Sequence, residues 1–135
     1  MGETAETLAE QYGISRDDQD RFALASQQKA VAAMAAGKFQ DEILPLTIAG
    51  RKGEIIVTTD EHPRADASLD SLRKLPAVFK KDGSVTAGNS SGLPDAAARL
   101  ILCSEAKLKE LNLFPLARLT AATQAGVPPE IMGIG

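Results

Sequence analysis

Val85-Thr-Ala-Gly-Asn-Ser-Ser-Gly92, running on into Leu93-Pro-Asp-Ala-Ala-Ala98, is the stretch on which the reading of this chain turns. Its side chains are small, and Gly88 and Gly92 permit sharp turns or close approach of another molecule to the backbone. Taken alone, such a stretch is a turn in a surface loop. It becomes a ligand contact only if the sequence around it points the same way.

Upstream, Asp60 to Gly92 carries Pro63, Pro76, Gly83, Gly88 and Gly92 with no long periodic segment. A loop region of this length within a compact protein is either functional or disordered. Only a short helix around Asp70–Leu75 and an extended piece at Val85–Ala87 are expected there. Before it, Glu42–Ala49 and Glu54–Thr59 are β-branched and apolar, separated by Gly50-Arg-Lys-Gly53, which predicts a hairpin. Pro45 cannot donate to a ladder and puts the first strand at an edge or a bulge.

Nearer the start, Thr4–Gln11 has helical composition and Gly13 suits a left-handed stop. Ser15 followed by Asp17, Asp18 and Asp20 reads as an N-cap with an acidic first turn. The helix it opens is predicted from Arg16 to about Ala36, closed by Gly37. Phe22, Ser26, Ala30 and Ala33 recur at helical spacing as its packing face, with Arg21, Gln27, Gln28 and Lys29 toward solvent. Downstream, Ala96–Cys103 reads as a strand and Ser104–Leu111 as a capped helix ending at Asn112. Leu116–Thr123 reads as a second strand, and Pro128 opens a further helical turn. The whole is a mixed α/β class.

The chain has 135 residues, 44% of them apolar, which permits one domain with its own core. Net charge is −3 without a block of like charges, so nucleic acid is excluded as a partner. Acidic residues stand where a signal peptide needs a basic start, and no stretch approaches the ~20 apolar residues of a membrane span. A single cysteine, Cys103, forms no internal disulfide, and the lone His62 assembles no metal site. These features predict a cytoplasmic protein with no metal and no membrane association. Cys103, in the apolar run Leu100–Ser104, is expected to be buried, and His62 to lie on the surface.

Three further strings accompany Val85–Gly92: Met1-Gly-Glu-Thr-Ala-Glu6; Ile14-Ser-Arg-x-x-Gln-Asp20 leading into Phe22-Ala-x-x-Ser26; and Gly126-Val-x-Pro-x-x-Met-Gly133. In that order they resemble the thiolase family, whose loop typically reads T-A-G-N-A/S-S-G-hydrophobic-N-D-G-A-A. Thiolases are acyltransferases that join or cleave acyl-CoA units, and several motifs in register make turn glycines the poorer reading of Gly88 and Gly92. The resemblance implies a thiolase-like fold in which residues 1–92 form a CoA-binding loop domain. Residues 93–115 would return to the N-terminal core and 116–135 begin the C-terminal core, giving a partial layered core. The chain would then be an interior stretch of a protein about three times longer.

By the family pattern, Arg64 and Ser71 meet the nucleotide end of coenzyme A. Ala87 through its backbone and Ser91 through its hydroxyl hold the pantetheine, with Gly88 at the point of closest approach. Phe79 and Met1 line the same tunnel with apolar groups. The residue types suit the ligand: cations for phosphate, small groups where a narrow arm passes. Arg64 also has a plainer reading, a solvated ion pair with Asp60, Glu61 or Asp66. The family's nucleophilic cysteine would precede Met1, and its His, Asn and second cysteine would follow Gly135, so no catalytic residue is expected here. Coenzyme A or acyl-CoA is expected as substrate rather than as a tightly bound cofactor, with a homodimeric or homotetrameric parent. Pro94 stands where the family has Asn, and Arg99 interrupts an Ala-rich strand. The competing reading is a noncatalytic CoA-binding or interaction module, or an inactive truncated product. Ketoacyl synthases share the chemistry, but the TAGN and MGETAE strings count against them. Strands without partners would expose apolar faces and lower solubility.

Overall fold

The chain is described by a computed structural model over residues 1–51 and 53–135. It begins with two consecutive helices, α1 (Gly2–Tyr12) and α2 (Arg16–Ala35). Gly13 ends α1 at φ 64° and ψ 32°, its N–H bonding back to the last turn, as its lack of a Cβ allows. Ser15 then caps α2: its hydroxyl oxygen accepts from the Asp18 N–H at 3.1 Å while its proton goes to the Asp18 carboxylate at 2.5 Å. Gly37, at φ 68°, lets the chain leave α2.

β1 (Leu46–Gly50) and β2 (Gly53–Val57) form the expected antiparallel hairpin, with Leu46 opposite Val57 and Gly50 opposite Gly53. Lys52, within the predicted turn, lies outside the described residues. Pro45 sits just before β1, where it removes no ladder bond. α3 (Leu69–Arg73) follows the loop and packs on α2; α4 (Glu105–Glu110) is capped by the Ser104 hydroxyl, and Asn112 leaves it at φ 50°. A 3₁₀ turn at Pro129–Ile134 returns to α1, where Gly133 lies against Leu8. No described helix is long and apolar enough to cross a membrane.

Two expectations do not hold: Ala96–Cys103 and Leu116–Thr123 are not strands. Val85 and Thr86 belong to no regular element, the Val85 carbonyl accepting from the Val78 N–H at 3.0 Å, and the bend begins at Ala87. A strand exists only if another completes its ladder, and among the described residues β1 and β2 pair only with each other. Leu93, Leu100, Ile101, Leu102, Leu116 and Leu119 are consequently exposed, and Cys103 is exposed rather than buried.

The packing face of α2 holds only in part. Ala30 and Ala33 are half-buried and Arg21, Gln28 and Lys29 exposed, but Phe22 is 80% exposed and Ser26 exposed, whereas Gln27, assigned to solvent, is half-buried. Arg16, Asp20 and Gln27 stand at i, i+4 and i+11 and therefore share one helical face. That face, not the one bearing Phe22, turns toward α3 and the loop, because each of its side chains finds hydrogen-bond partners there. The buried centre is accordingly half polar: Ala9, Leu72 and Val85 lie with Glu6, Asp20 and Thr86.

Candidate functional site

Side chains within the stretch 84–92 bond its own backbone. Thr86, with no exposed surface, accepts through its hydroxyl from the N–H groups of Gly88 at 3.2 Å and Asn89 at 3.3 Å. Asn89 Oδ1 accepts from the Thr86 N–H at 2.7 Å, and Ser90 donates its hydroxyl to the Thr86 carbonyl at 2.7 Å. Such short-range bonds suit Thr, Asn and Ser in turns.

Charged residues from the helices then fasten this turn. Glu6 of α1, 5% exposed, accepts from the Ser84 N–H and hydroxyl at 3.0 Å and from the Val85 N–H at 2.8 Å. Burial pushes the Glu6 carboxyl up, but the N–H groups of Ser84 and Val85, the Ser84 hydroxyl and the Lys80 ammonium outweigh it, and the net effect is downward. From α2, Gln19 donates to the Ser84 hydroxyl at 2.8 Å. Asp20, with no exposed surface, takes Arg16 Nε at 2.8 Å and Asn89 Nδ2 at 3.1 Å. Gly83 passes directly over the Glu6 carboxylate, where a Cβ would collide with it.

Between this turn and α3 lies a cleft of about 510 Å³ lined by Arg64, Ser71, Leu72, Leu75, Ala87, Gly88, Ser91 and Gly92, among others. The two walls meet at Gly88, where a Cβ would come within 2.5 Å of Leu75 Cδ1 and 2.6 Å of Leu72 Cδ2. The sequence-predicted Arg64, Ser71, Ala87, Gly88 and Ser91 thus converge on one concavity. Arg64 is held there through its backbone, whose N–H donates to Gln27 Oε1 at 2.7 Å. Among the described residues no ion pair joins it to Asp60, Glu61 or Asp66. Ser71 lines the cleft, but its hydroxyl closes a capping box by accepting from the Ser68 N–H at 3.1 Å, and it also donates to the Ser68 carbonyl at 2.8 Å. His62, read as a surface residue, is exposed and also lines the cleft, its ring lying against Gly92.

Phe79 and Met1 do not line this cleft. The Phe79 ring lies on Gly2, so close that no Cβ would fit, and the adjoining Met1 is exposed. Cys103 also lies outside the cleft. The sequence reading missed Glu6, Arg16, Gln19, Asp20, Thr86 and Asn89 as the framework of the site. A signal was present: each belongs to one of the quoted strings, and a carboxylate, a guanidinium and amides recurring across separate strings are complementary bonding groups.

Comparison with known proteins agrees with this architecture. The family profile described as "Thiolase, N-terminal domain" matches residues 1–106. An acetyl-CoA acetyltransferase from Pseudomonas aeruginosa is 56% identical over 136 residues, covering 100% of this chain and 35% of that protein. A probable acetyl-CoA acyltransferase from Staphylococcus aureus is 57% identical, covering 99% and 34% respectively. Among solved structures, the Bacillus anthracis acetyl-CoA acetyltransferase superposes with a TM-score of 0.87 at 54% identity, over 100% of this chain and 34% of that one. Human mitochondrial 3-ketoacyl-CoA thiolase does so at 0.81 and 45%, over 98% and 34%. The chain spans about a third of the length of the relatives it matches. With the profile covering most of its residues and the fold shared, the chain belongs to the thiolase family.

Proposed function

We propose that the cleft receives coenzyme A and that the chain is the CoA-binding portion of an acetyl-CoA or 3-ketoacyl-CoA acyltransferase. One observation carries the reading: Arg64, Ser71, Ala87, Gly88 and Ser91, singled out in sequence by the resemblance to thiolases, line one cleft. Its volume of about 510 Å³ falls within the range of about 300–1,000 Å³ usual for small-molecule sites. The Arg64 guanidinium supplies charge for phosphate, with Ser71 beside it. The exposed Ala87 backbone and Ser91 hydroxyl serve the amides of the pantetheine arm. Phe79 and Met1 offer an apolar surface farther along toward the acyl end.

Acyl transfer of this type forms an acyl-cysteine by attack of a thiolate on the acyl carbonyl; donors hold the tetrahedral oxyanion, which collapses as the bond to the departing CoA thiolate (or, in thiolysis, the acyl-CoA enolate) breaks. Cys103, exposed and away from the cleft, is not that thiolate. In this reading the chain holds the substrate, and the reacting cysteines, histidine and asparagine come from elsewhere in a longer, dimeric or tetrameric cytoplasmic enzyme. Residues 1–92 are its loop domain, 93–115 part of the N-terminal core and 116–135 the start of the C-terminal core. A second reading, a noncatalytic CoA-binding module, is favoured by the fact that the cleft is lined entirely from residues 27–92.

Calorimetric titration with coenzyme A tests binding. Ser91→Ala should weaken it by about threefold to tenfold and Arg64→Ala by about tenfold or more, the usual worth of a neutral and a charged hydrogen bond. Unchanged affinity in both variants refutes the site. Thiolysis of acetoacetyl-CoA by the longer protein that carries this chain separates the two readings: turnover supports the acyltransferase, and binding without turnover points to the module.

A further inference from the structure

Behind the cleft, one chain of partly buried hydrogen bonds runs from one wall to the other. The Arg16 guanidinium donates from Nη2 to the carbonyls of Leu72 at 2.7 Å and Leu75 at 3.1 Å, the α3 side of the cleft. Its Nε holds Asp20, and Asp20 holds Asn89. The Asn89 amide also donates to the Ser84 carbonyl at 3.0 Å and accepts from the Thr86 N–H, so it sets the turn that forms the other wall. We infer that Arg16, Asp20 and Asn89 are positioning residues that fix the spacing of the two walls and thereby the fit of the narrow pantetheine arm. The inference rests on the coenzyme A reading above.

The chemistry at each place is specific. Asn89 must offer two N–H protons on one side and an acceptor on the other; aspartate has the same shape but no donor. Asp20 must offer an acceptor on each side, since Oδ2 takes the Arg16 Nε–H and Oδ1 takes the Asn89 amide. Arg16 must fork, since a lysine ammonium is not preorganised to hold a carboxylate and two carbonyls at once. None of these side chains lines the cleft, so their influence is exerted only through backbone placement.

The pair is tested in the protein with Asn89→Asp, which sets a second carboxylate against Asp20, and with the swap Asp20→Asn/Asn89→Asp, which restores a donor between them. Amide hydrogen exchange should accelerate about tenfold or more at 84–92 in Asn89→Asp, with the helix Arg16–Ala35 within about twofold of the parent. Coenzyme A affinity should fall about tenfold, while 3′,5′-ADP, which carries the nucleotide end alone, should stay within about twofold. The swap should recover about threefold or more of the lost affinity. Should Asn89→Asp unfold, Asn89→Ala removes the link without adding charge and gives the same readouts. Unchanged exchange at 84–92, equal loss for both ligands, or no recovery in the swap overturns the inference. A parent protein that ignores coenzyme A refutes the function proposed above and this inference with it, whereas a parent that binds with insensitive variants refutes the inference alone.

Discussion

Replacing Glu6 by glutamine isolates the contact between α1 and the turn at 84–92. The carboxylate accepts from two backbone N–H groups and one hydroxyl at 2.8–3.0 Å, in a site 5% exposed. Glutamine keeps the shape but turns one acceptor into a donor. Its oxygen in the Oε1 position can keep the N–H groups of both Ser84 and Val85, while its NH₂ must reverse the bond with the Ser84 hydroxyl. Three charge-assisted contacts thus become neutral ones at about 1 kcal/mol each, so a total near 3 kcal/mol is expected. Against a total stability of about 5–15 kcal/mol this is large. With a urea slope of about 2 kcal/mol per molar, the midpoint should drop by about 1.5 M near neutral pH, followed by far-ultraviolet circular dichroism. The pH dependence supplies a second check. The folded carboxyl titrates below its ordinary 4.5, so its contribution is fully present above that value and is lost as pH falls through the lower folded pKa. The gap between parent and variant should therefore close on acidification. A difference under about 0.5 kcal/mol near neutral pH, or one that persists unchanged in acid, would falsify the claim that this charge fastens the turn.

Gly88→Ala forces a methyl to within 2.5–2.6 Å of the Leu72 and Leu75 side-chain ends, so a stability loss of about 1–3 kcal/mol in urea unfolding is expected. Because the displaced leucines line the cleft, coenzyme A affinity should fall as well. Asp17 is hydrogen-bonded by Arg73 at 2.6 Å and paired with Arg21, which together hold its carboxyl below the usual range. In Arg73→Gln its titration, followed by carbon NMR, should move up toward ordinary carboxylates; an unmoved midpoint rules out Arg73 as the main cause.

Local features were legible in the chain alone because local forces decide them. Gly13 and Gly37 had to take positive φ, Ser15 and Ser104 had to cap, and the alternation around Gly50–Gly53 had to fold into a hairpin. The cleft-lining residues at 64–91 could be named because the resemblance to thiolases placed them there, and their types, a cation and small groups, suit phosphate and a narrow arm. Sequence also decided the family, since separated strings kept their order. Tertiary structure decided the rest. Phe22 stands in solvent while Asp20 is wholly buried, an inversion of hydropathy that becomes favourable only when Arg16 and Asn89, the latter 69 positions away, arrive to satisfy the carboxylate. The strands expected at 96–103 and 116–123 failed for the complementary reason. A strand's hydrogen bonds belong to its neighbour, so apolar composition cannot make one where no described partner lies alongside.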